Sequence, residues 1–375
     1  MSFIPVNEPL LNGNEKKYLC ECIDTGWISS EGPFVKEFES KMSERVHRKH
    51  GISVTNGTAA LEIAVKALRL SEGDEVIMPT FTIISCAEAV TRVGAVPVLV
   101  DSHPDTWNMC VEDIEKKITS RTKAIMVVHI YGLPVEMDSV LDIAERHGLK
   151  VIEDAAEMHG QTYKGRPCGS FGDISVFSFY PNKHITTGEG GMLVTDDDEL
   201  AERCRYLRNL CFKRDPRYVH EELSGNYRFT NLQAAIGLAQ LERLDEFVEK
   251  KRKMGAYYTD ALKDIRGISL PVPETDYARN IYWVYGIMLG DEINADNRTF
   301  QRKLAEHEIG SRTFFWCMHE QPVYIEAGMY ADEYYPVAER MARRGLYIPS
   351  GLALTDEQME RVVISIKKVL SEIMC

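Results

Sequence analysis

Seven short apolar runs punctuate the first half of the chain: GISVT (51–55), EVIM (75–78), VPVLV (96–100), KAIMVV (123–128), LKVIE (149–153), ISVFS (174–178) and MLVT (192–195). Most lack the polar alternation of a strand with one wet face, so they predict strands buried on both faces, as in a parallel sheet. Helical spacing fills several of the gaps. Leu61, Ala64, Val65 and Leu68 recur at helical intervals behind Asn56-Gly57-Thr58, a capped start. Val140, Ile143 and Ala144 repeat in the same way and run out at Gly148. Strands alternating with helices predict an α/β fold around a mostly parallel sheet. Ligands in such folds sit at the carboxyl ends of the strands, so the loops that follow strands are where chemistry is expected.

The second half changes character. The stretch NLQAAIGLAQLERLDEFVEKKR predicts one long amphipathic helix over about 231–252, leading into a second unit with strand candidates YWVYGIML (282–289) and SRTFF (311–315) and a closing helix over 355–373. At 375 residues the chain exceeds the size at which a single core stops growing. We expect a large domain over 1–245 and a smaller C-terminal α/β domain over 246–375, with a linker near 245–265. No internal repeat or low-complexity segment interrupts this division.

Charge and composition remove some function classes. A net charge of −13 argues against a nucleic-acid binder, which needs a basic face. It does not exclude an anionic substrate, because helix ends and a few local cations can hold a phosphate inside an acidic protein. The N-terminal stretch MSFIPVNEPLLNGNEKKYL has neither the basic region nor the apolar run of a signal peptide, and no stretch approaches the roughly 18 apolar residues of a membrane span. Nine cysteines are scattered; the nearest pair, Cys20 and Cys22, has no second pair at zinc-site spacing. The expectation is a cytoplasmic protein with reduced cysteines, no metal site and no membrane partner.

Four loop segments carry candidate chemistry. The first runs from Ser178 through Lys183 to Gly191, as SFYPNKHITTGEGG. A loop lysine is ordinarily a solvated charge, but this one lies between an apolar strand and a Thr/Gly-rich turn that can approach a ligand closely. Held in a pocket, such an amine loses proton affinity and can attack a carbonyl. The second is Val151-Ile-Glu-Asp154-Ala-Ala-Glu157 at a strand end. Its bland reading is a helix cap or structural ion pair; its functional reading is an acid that hydrogen-bonds a protonated pyridine nitrogen. The third, Thr55-Asn56-Gly57-Thr58, is a strand-to-helix turn of the kind that binds phosphate, although many helices begin this way without a ligand. The fourth, Gly225-Asn226-Tyr227-Arg228-Phe229-Thr230-Asn231, enters the long helix and is on its own a polar cap. Together the segments supply an amine for an aldehyde, an acid for a ring nitrogen and a helix end for a phosphate, which is the binding set of pyridoxal 5'-phosphate (PLP).

The chain resembles the DegT/DnrJ/EryC1/StrS sugar aminotransferases over nearly its whole length. The resemblance rests on Gly26-Trp27-Ile28-Ser29-Ser30, Asn56-Gly57-Thr58, Gly73-Asp74-Glu75-Val76-Ile77, Pro79-Thr80, Val128-His129-Ile130-Tyr131-Gly132, Ile152-Glu153-Asp154-Ala155-Ala156-Glu157, the Lys183 loop, and Asn226-Tyr227-Arg228 with Thr230-Asn231. It implies the aspartate-aminotransferase (type I PLP) fold, with a mostly parallel seven-stranded sheet, and a homodimer sharing active sites at its interface. It implies L-glutamate as amino donor and a nucleotide-linked 4-keto-6-deoxy sugar as acceptor. Within the family the chain is most similar to the GDP-perosamine subgroup, whose product is an O-antigen sugar of lipopolysaccharide.

By the same resemblance Lys183 bonds the cofactor aldehyde, Asp154 pairs with its ring nitrogen, and Glu157 neighbours the ring or its hydroxyl. Ser178, Gly57 and Thr58 hold the phosphate, joined by Asn226 of the second subunit. Sugar and nucleotide contacts fall to Trp27, Ser29, His129, Tyr131, Arg228, Arg312 and His319. Two positions depart from the family pattern. Ile83 stands where an aromatic residue commonly stacks on the ring, leaving Ile83 or Phe81 to pack there, and Thr313 follows Arg312 where proline is usual. Two other readings compete. Relatives with histidine in place of the lysine are sugar 3-dehydratases, and His184 adjoins Lys183. However, the family lysine stands five residues before the first glycine of GEGG, which is the position of Lys183. A PLP-binding regulator without turnover would be favoured by loss of Lys183 or Asp154, and both are present.

Overall fold

The computed structural model describes residues 2–213 and 215–374. All seven apolar runs form strands of one sheet. These are β1 (His50–Val54), β2 (Glu75–Pro79), β3 (Val96–Val100), β4 (Thr122–Val128) and β5 (Lys150–Asp154); then, after a small hairpin of β6 (Thr162–Tyr163) and β7 (Arg166–Pro167), β8 (Ile174–Ser178) and β9 (Gly191–Thr195). The spatial order is β1-β9-β8-β5-β4-β2-β3. The pairs β2–β3, β2–β4, β4–β5 and β5–β8 are parallel, whereas β9 runs antiparallel to both neighbours.

The absence of polar alternation has a direct cause. Along β4, Ala124, Met126 and Val128 enter one buried cluster, while Ile125 and Val127 enter another on the opposite face. Helices cover both sides, so most strand residues are apolar whichever way they point. The helix Gly57–Ala67 begins as expected, with the Asn56 side chain accepting from the Ala59 N–H at 2.8 Å. The helix Met137–His147 ends at Gly148, whose φ of 64° is the left-handed cap that glycine adopts without cost.

One expected element is divided. The helix read over 231–252 is two, Asn231–Leu241 and Leu244–Leu262, broken at Glu242-Arg243. No proline or glycine marks the break. The N-terminal segment docks there instead: Asn14 and Tyr18 donate to Glu242, and Gln240 donates to the Leu10 carbonyl and to Glu15. The stretch 245–265 that we expected to hold a linker is therefore largely helical. The first residues also return to the far side of the molecule, where Ile4 exchanges backbone hydrogen bonds with Glu308 and Gly310.

The second sheet is small and antiparallel, in the order β10 (Ile268–Ser269), β11 (Tyr285–Leu289), β13 (Gly345–Ile348) and β12 (Arg312–Thr313). Its core joins Tyr285, Ile287 and Leu289 to Tyr258, Phe300 and Ile366 from the helices around it. Aromatic residues tie it to the first sheet. Tyr131 and Phe81 pack with Phe314 and Phe315, and Trp283 packs against Tyr131 with ring centroids 5.9 Å apart. No helix among the described residues is long and apolar enough to cross a membrane.

Candidate active site

Parallel register brings three strand ends level. Val128, Asp154 and Val176 are partners across β4, β5 and β8, and all three line a cavity of about 350 Å³. The start of helix Gly57–Ala67 and the Lys183 loop, which joins β8 to β9, form two more sides, while Trp283, Arg312, Phe315 and Tyr347 reach over from the second sheet region. The cavity thus lies where a ligand site is expected in an open α/β sheet.

Lys183 enters with its side chain only 10% exposed. Its Nζ stands 3.9 Å from Glu157 Oε1 and 3.8 Å from the centroid of the Trp283 ring. Burial lowers its proton affinity below the usual lysine range, although Glu157 and Asp154 pull the other way. Glu157 responds in the opposite direction. Burial pushes its carboxyl up to about 8, against the attraction of Lys183 and a 2.6 Å hydrogen bond donated by the Tyr131 N–H. Asp154 is also raised by burial. Its Oδ1 accepts from the Ala156 N–H at 3.0 Å and its Oδ2 from the Cys86 thiol at 3.3 Å. Neither donor is a full positive charge, so the acid keeps lone-pair capacity for a cation in the cavity.

The third side is a helix end. Asn56 caps it, and helix geometry leaves the N–H groups of Gly57 and Thr58 without intrahelical acceptors. Glycine is required at 57 because a Cβ there would sit 2.9 Å from Ser178 Cβ. Gly191, closing the lysine loop, is equally constrained, since a side chain would run into the Asn56 carbonyl. These two contacts hold the lysine loop and the helix end against each other. Thr58 Oγ1 lies 2.9 Å from Ser85 Oγ, and both line the cavity. Ile83 lines it as well, whereas Phe81 is fully buried in the aromatic cluster behind.

Of the expected contact residues, Gly57, Thr58, Ile83, Asp154, Glu157, Ser178, Lys183, His129 and Arg312 border the cavity, while Trp27, Ser29, Tyr131, Asn226, Arg228 and His319 do not. His129 has no nitrogen left for a ligand: Nδ1 accepts from the Val135 N–H and Nε2 faces Glu153 at 3.1 Å. His319 is similarly engaged, by Thr80 at 2.8 Å and Glu339 at 3.2 Å. Tyr131 is buried, and its hydroxyl has no hydrogen-bond partner among the described residues. Trp27, Ser29 and Asn226 are exposed, and Arg228 donates to Asn209. His184 is buried against the Ile281 carbonyl and does not line the cavity, so Lys183, not its neighbour, faces the ligand space. Sequence reading overlooked Tyr180, Trp283, Phe315 and Tyr347. Within their segments they look like ordinary core aromatics, and only the return of the second sheet region brings three of them to the cavity, with Trp283 over the lysine.

The DegT/DnrJ/EryC1/StrS aminotransferase family model matches residues 9–367. The chain belongs to this family. Among curated relatives, it is 42% identical over 374 residues to a GDP-perosamine synthase of Escherichia coli O157:H7, covering 99% of this chain and 100% of that one. It is 43% identical over 368 residues to a GDP-perosamine synthase of Caulobacter vibrioides, covering 98% of each. Among solved structures, S. venezuelae DesV superposes with a TM-score of 0.91 at 32% identity over 99% of both chains. This DegT/DnrJ/EryC1/StrS protein is therefore a PLP-dependent aminotransferase with the aspartate-aminotransferase-like α/β fold.

The cavity of this family member fits that cofactor. It offers a buried lysine amine, a carboxylate held by weak donors at its floor, and unsatisfied N–H groups at a helix start that glycine keeps open.

Proposed function

We propose that this aminotransferase moves an amino group from L-glutamate to the keto carbon of GDP-4-keto-6-deoxy-D-mannose, giving GDP-perosamine for O-antigen synthesis. The observation that carries the proposal is a buried lysine amine facing Asp154 and Glu157 in a chain 42% identical, end to end, to a GDP-perosamine synthase. When bound, PLP supplies the electron sink that makes a donor's α-proton removable.

The chain's own groups would divide the remaining work. Lys183 Nζ takes the proton from the donor carbon and returns it one position away; burial keeps that amine readily unprotonated, as a base requires. Glu157, 3.9 Å away and itself raised, exchanges a proton with Nζ at little cost because both groups are pushed toward neutral pH. Asp154, buried at the cavity floor, would hold a positive ring N–H of the cofactor. The Gly57 and Thr58 N–H groups and Ser178 Oγ would hold the phosphate, and Ile83 would offer the ring an apolar surface. Arg312, exposed at the cavity edge, faces the substrate's anionic group. Trp283, Phe315 and Tyr347 exclude water above the lysine.

A homodimer completes this reading. Trp27, Ile28, Ile83, Ile84 and Tyr180 are large apolar side chains left exposed on a single chain. A second copy would cover such surface. It would also bring Asn226, together with Trp27, Ser29 and Arg228, to the partner's cavity, which they do not reach in their own chain. Tyr131 and His319 would then shape the site from behind. A cytoplasmic location agrees with a nucleotide-sugar substrate and with the lack of a membrane-spanning helix among the described residues.

The test is a panel of GDP-, UDP- and dTDP-linked 4-keto-6-deoxy sugars with L-glutamate as donor. The GDP-mannose derivative should be aminated fastest; a preference for a UDP- or dTDP-linked sugar would overturn the substrate assignment while leaving the reaction class intact. Lys183→Ala should abolish both turnover and the visible absorbance of the lysine–cofactor bond. A band and turnover surviving that change would remove Lys183 from its role.

A further inference from the structure

The backbone around Lys183 is gripped from both sides by one short segment of the second sheet region. The Asn182 carbonyl, just before the lysine, accepts from the Trp283 indole N–H at 2.8 Å. His184, just after it, places Nε2 3.1 Å from the Ile281 carbonyl. Between these two anchors the Trp283 ring lies over the lysine, 3.8 Å from ring centroid to Nζ. Tyr282, which separates them, has φ 49°, a left-handed conformation that a non-glycine residue adopts only when its surroundings impose it. That backbone reversal lets residues 281 and 283 reach the same loop.

The clamp is itself held from behind. Lys251, buried in the helix Leu244–Leu262, donates to the Trp283 carbonyl at 2.9 Å and to the Ser350 carbonyl. A buried ammonium with two carbonyl acceptors and, among the described residues, no carboxylate is a costly arrangement, and it fixes the peptide that carries the indole. Trp283 is only 3% exposed, and its ring packs on Tyr131 and Tyr347. The indole therefore has little freedom to leave the lysine.

We propose that Trp283 is a positioning residue for Lys183: its ring face holds the free ammonium against Glu157, and its N–H fixes the peptide that aims the amine into the cavity. The electron-rich face of an indole attracts a cation, most strongly where water is excluded. The charged groups that face Nζ from the other elements are Glu157 and Asp154, with the Cys86 thiol beside them. Trp283 adds to their attraction without adding a titrating group. It also explains how the second sheet acts on a lysine that belongs to the first: any shift of Ile281–Trp283 moves both anchors of the loop.

This inference rests on the reading of Lys183 as the cofactor lysine. Its test uses the full chain carrying the cofactor in its amine form, in which Lys183 is free. The rate of Lys183 acylation by a small reagent is followed against pH by peptide mass spectrometry, giving the midpoint of the lysine itself. Trp283→Leu removes ring and donor and should lower that midpoint by about one pH unit, a tenfold change in the ammonium-to-amine ratio. Trp283→Phe keeps a ring face and loses the donor. It should leave the midpoint within about 0.3 unit while lowering kcat several-fold at unchanged KM. Equal midpoints in wild type and Trp283→Leu would overturn the role of the ring; a Phe variant with wild-type kcat would overturn the role of the N–H. Should the leucine variant not fold, Trp283→Met offers a more adaptable apolar side chain without a ring face and is read in the same way. A visible band that survives Lys183→Ala sinks the underlying reading instead, so the two failures are told apart.

Discussion

Replacing Glu157 by glutamine should stabilise the cofactor-free protein, and by an amount that depends on pH. The carboxyl is held at about 8 against the ordinary 4.5 of a glutamate, chiefly by burial. The folded protein therefore binds this proton more tightly than the unfolded chain does. Between those two values folding takes up a proton, so the group's contribution to stability falls as pH rises, by about 1.4 kcal/mol per unit. At pH 7 the accumulated cost is about 3 kcal/mol, and it levels off just above pH 8. Glutamine has the same shape, keeps an oxygen for the 2.6 Å hydrogen bond from the Tyr131 N–H, and carries no titrating proton. The stability advantage of Glu157→Gln should thus be small at pH 5 and reach about 3 kcal/mol at pH 7.

Lys183 contributes with the opposite sign, since its folded proton affinity lies below the usual range and its effect favours folding as pH rises. Repeating the comparison in a Lys183→Met background removes that contribution. The assay is urea unfolding at several pH values, with the midpoint converted through a common slope. Parallel stability curves for the two proteins between pH 5 and 7 would refute the reasoning, because they would show Glu157 ionising as an ordinary surface carboxylate does.

Other outcomes follow from the same geometry. Asp154→Asn should still bind PLP, more weakly, and transaminate slower by two or more orders of magnitude in single-turnover kinetics; an unchanged rate would remove the acid from the mechanism. Gly57→Ala places a methyl 2.9 Å from Ser178 Cβ and should weaken cofactor retention at least tenfold by equilibrium dialysis, with the melting temperature of the cofactor-free protein changing far less. Arg312→Ala should raise KM for the nucleotide sugar several-fold, and an unaltered KM would place the anionic group elsewhere. Lys251 is held at about 7 by burial, so its contribution to folding is unfavourable at low pH and improves as pH rises from about 7 toward the ordinary lysine value. Lys251→Met should flatten that rise in unfolding titrations between pH 7 and 9.

Much of this protein was legible in its sequence because the signals are local. The seven strands were visible as apolar runs because both faces of their sheet are covered, so apolar side chains dominate whichever way a residue points, with only isolated buried polar positions such as Glu153 and Ser175 among them. The turn at 56–58 and the glycine that closes the lysine loop were visible because Gly57 and Gly191 answer to backbone approach within a few ångströms, whereas the count from Lys183 to Gly188 spoke only through the family resemblance. Asp154 stood out as an acid at the end of an apolar strand and Lys183 as a loop lysine beside a Thr/Gly-rich turn, while the part given to Glu157 came from the family resemblance. What the sequence could not determine is set by contacts between residues far apart in the chain. The helix break at 242–243 has no local breaker and follows the docking of the N-terminal segment. The engagement of His129 with Glu153, and the withdrawal of Tyr131 and His319 behind the cavity, depend on neighbours that only folding supplies. Trp283 is the clearest case: 100 residues from Lys183 in sequence, it reads as one more strand aromatic, and tertiary structure alone lays its ring on the amine.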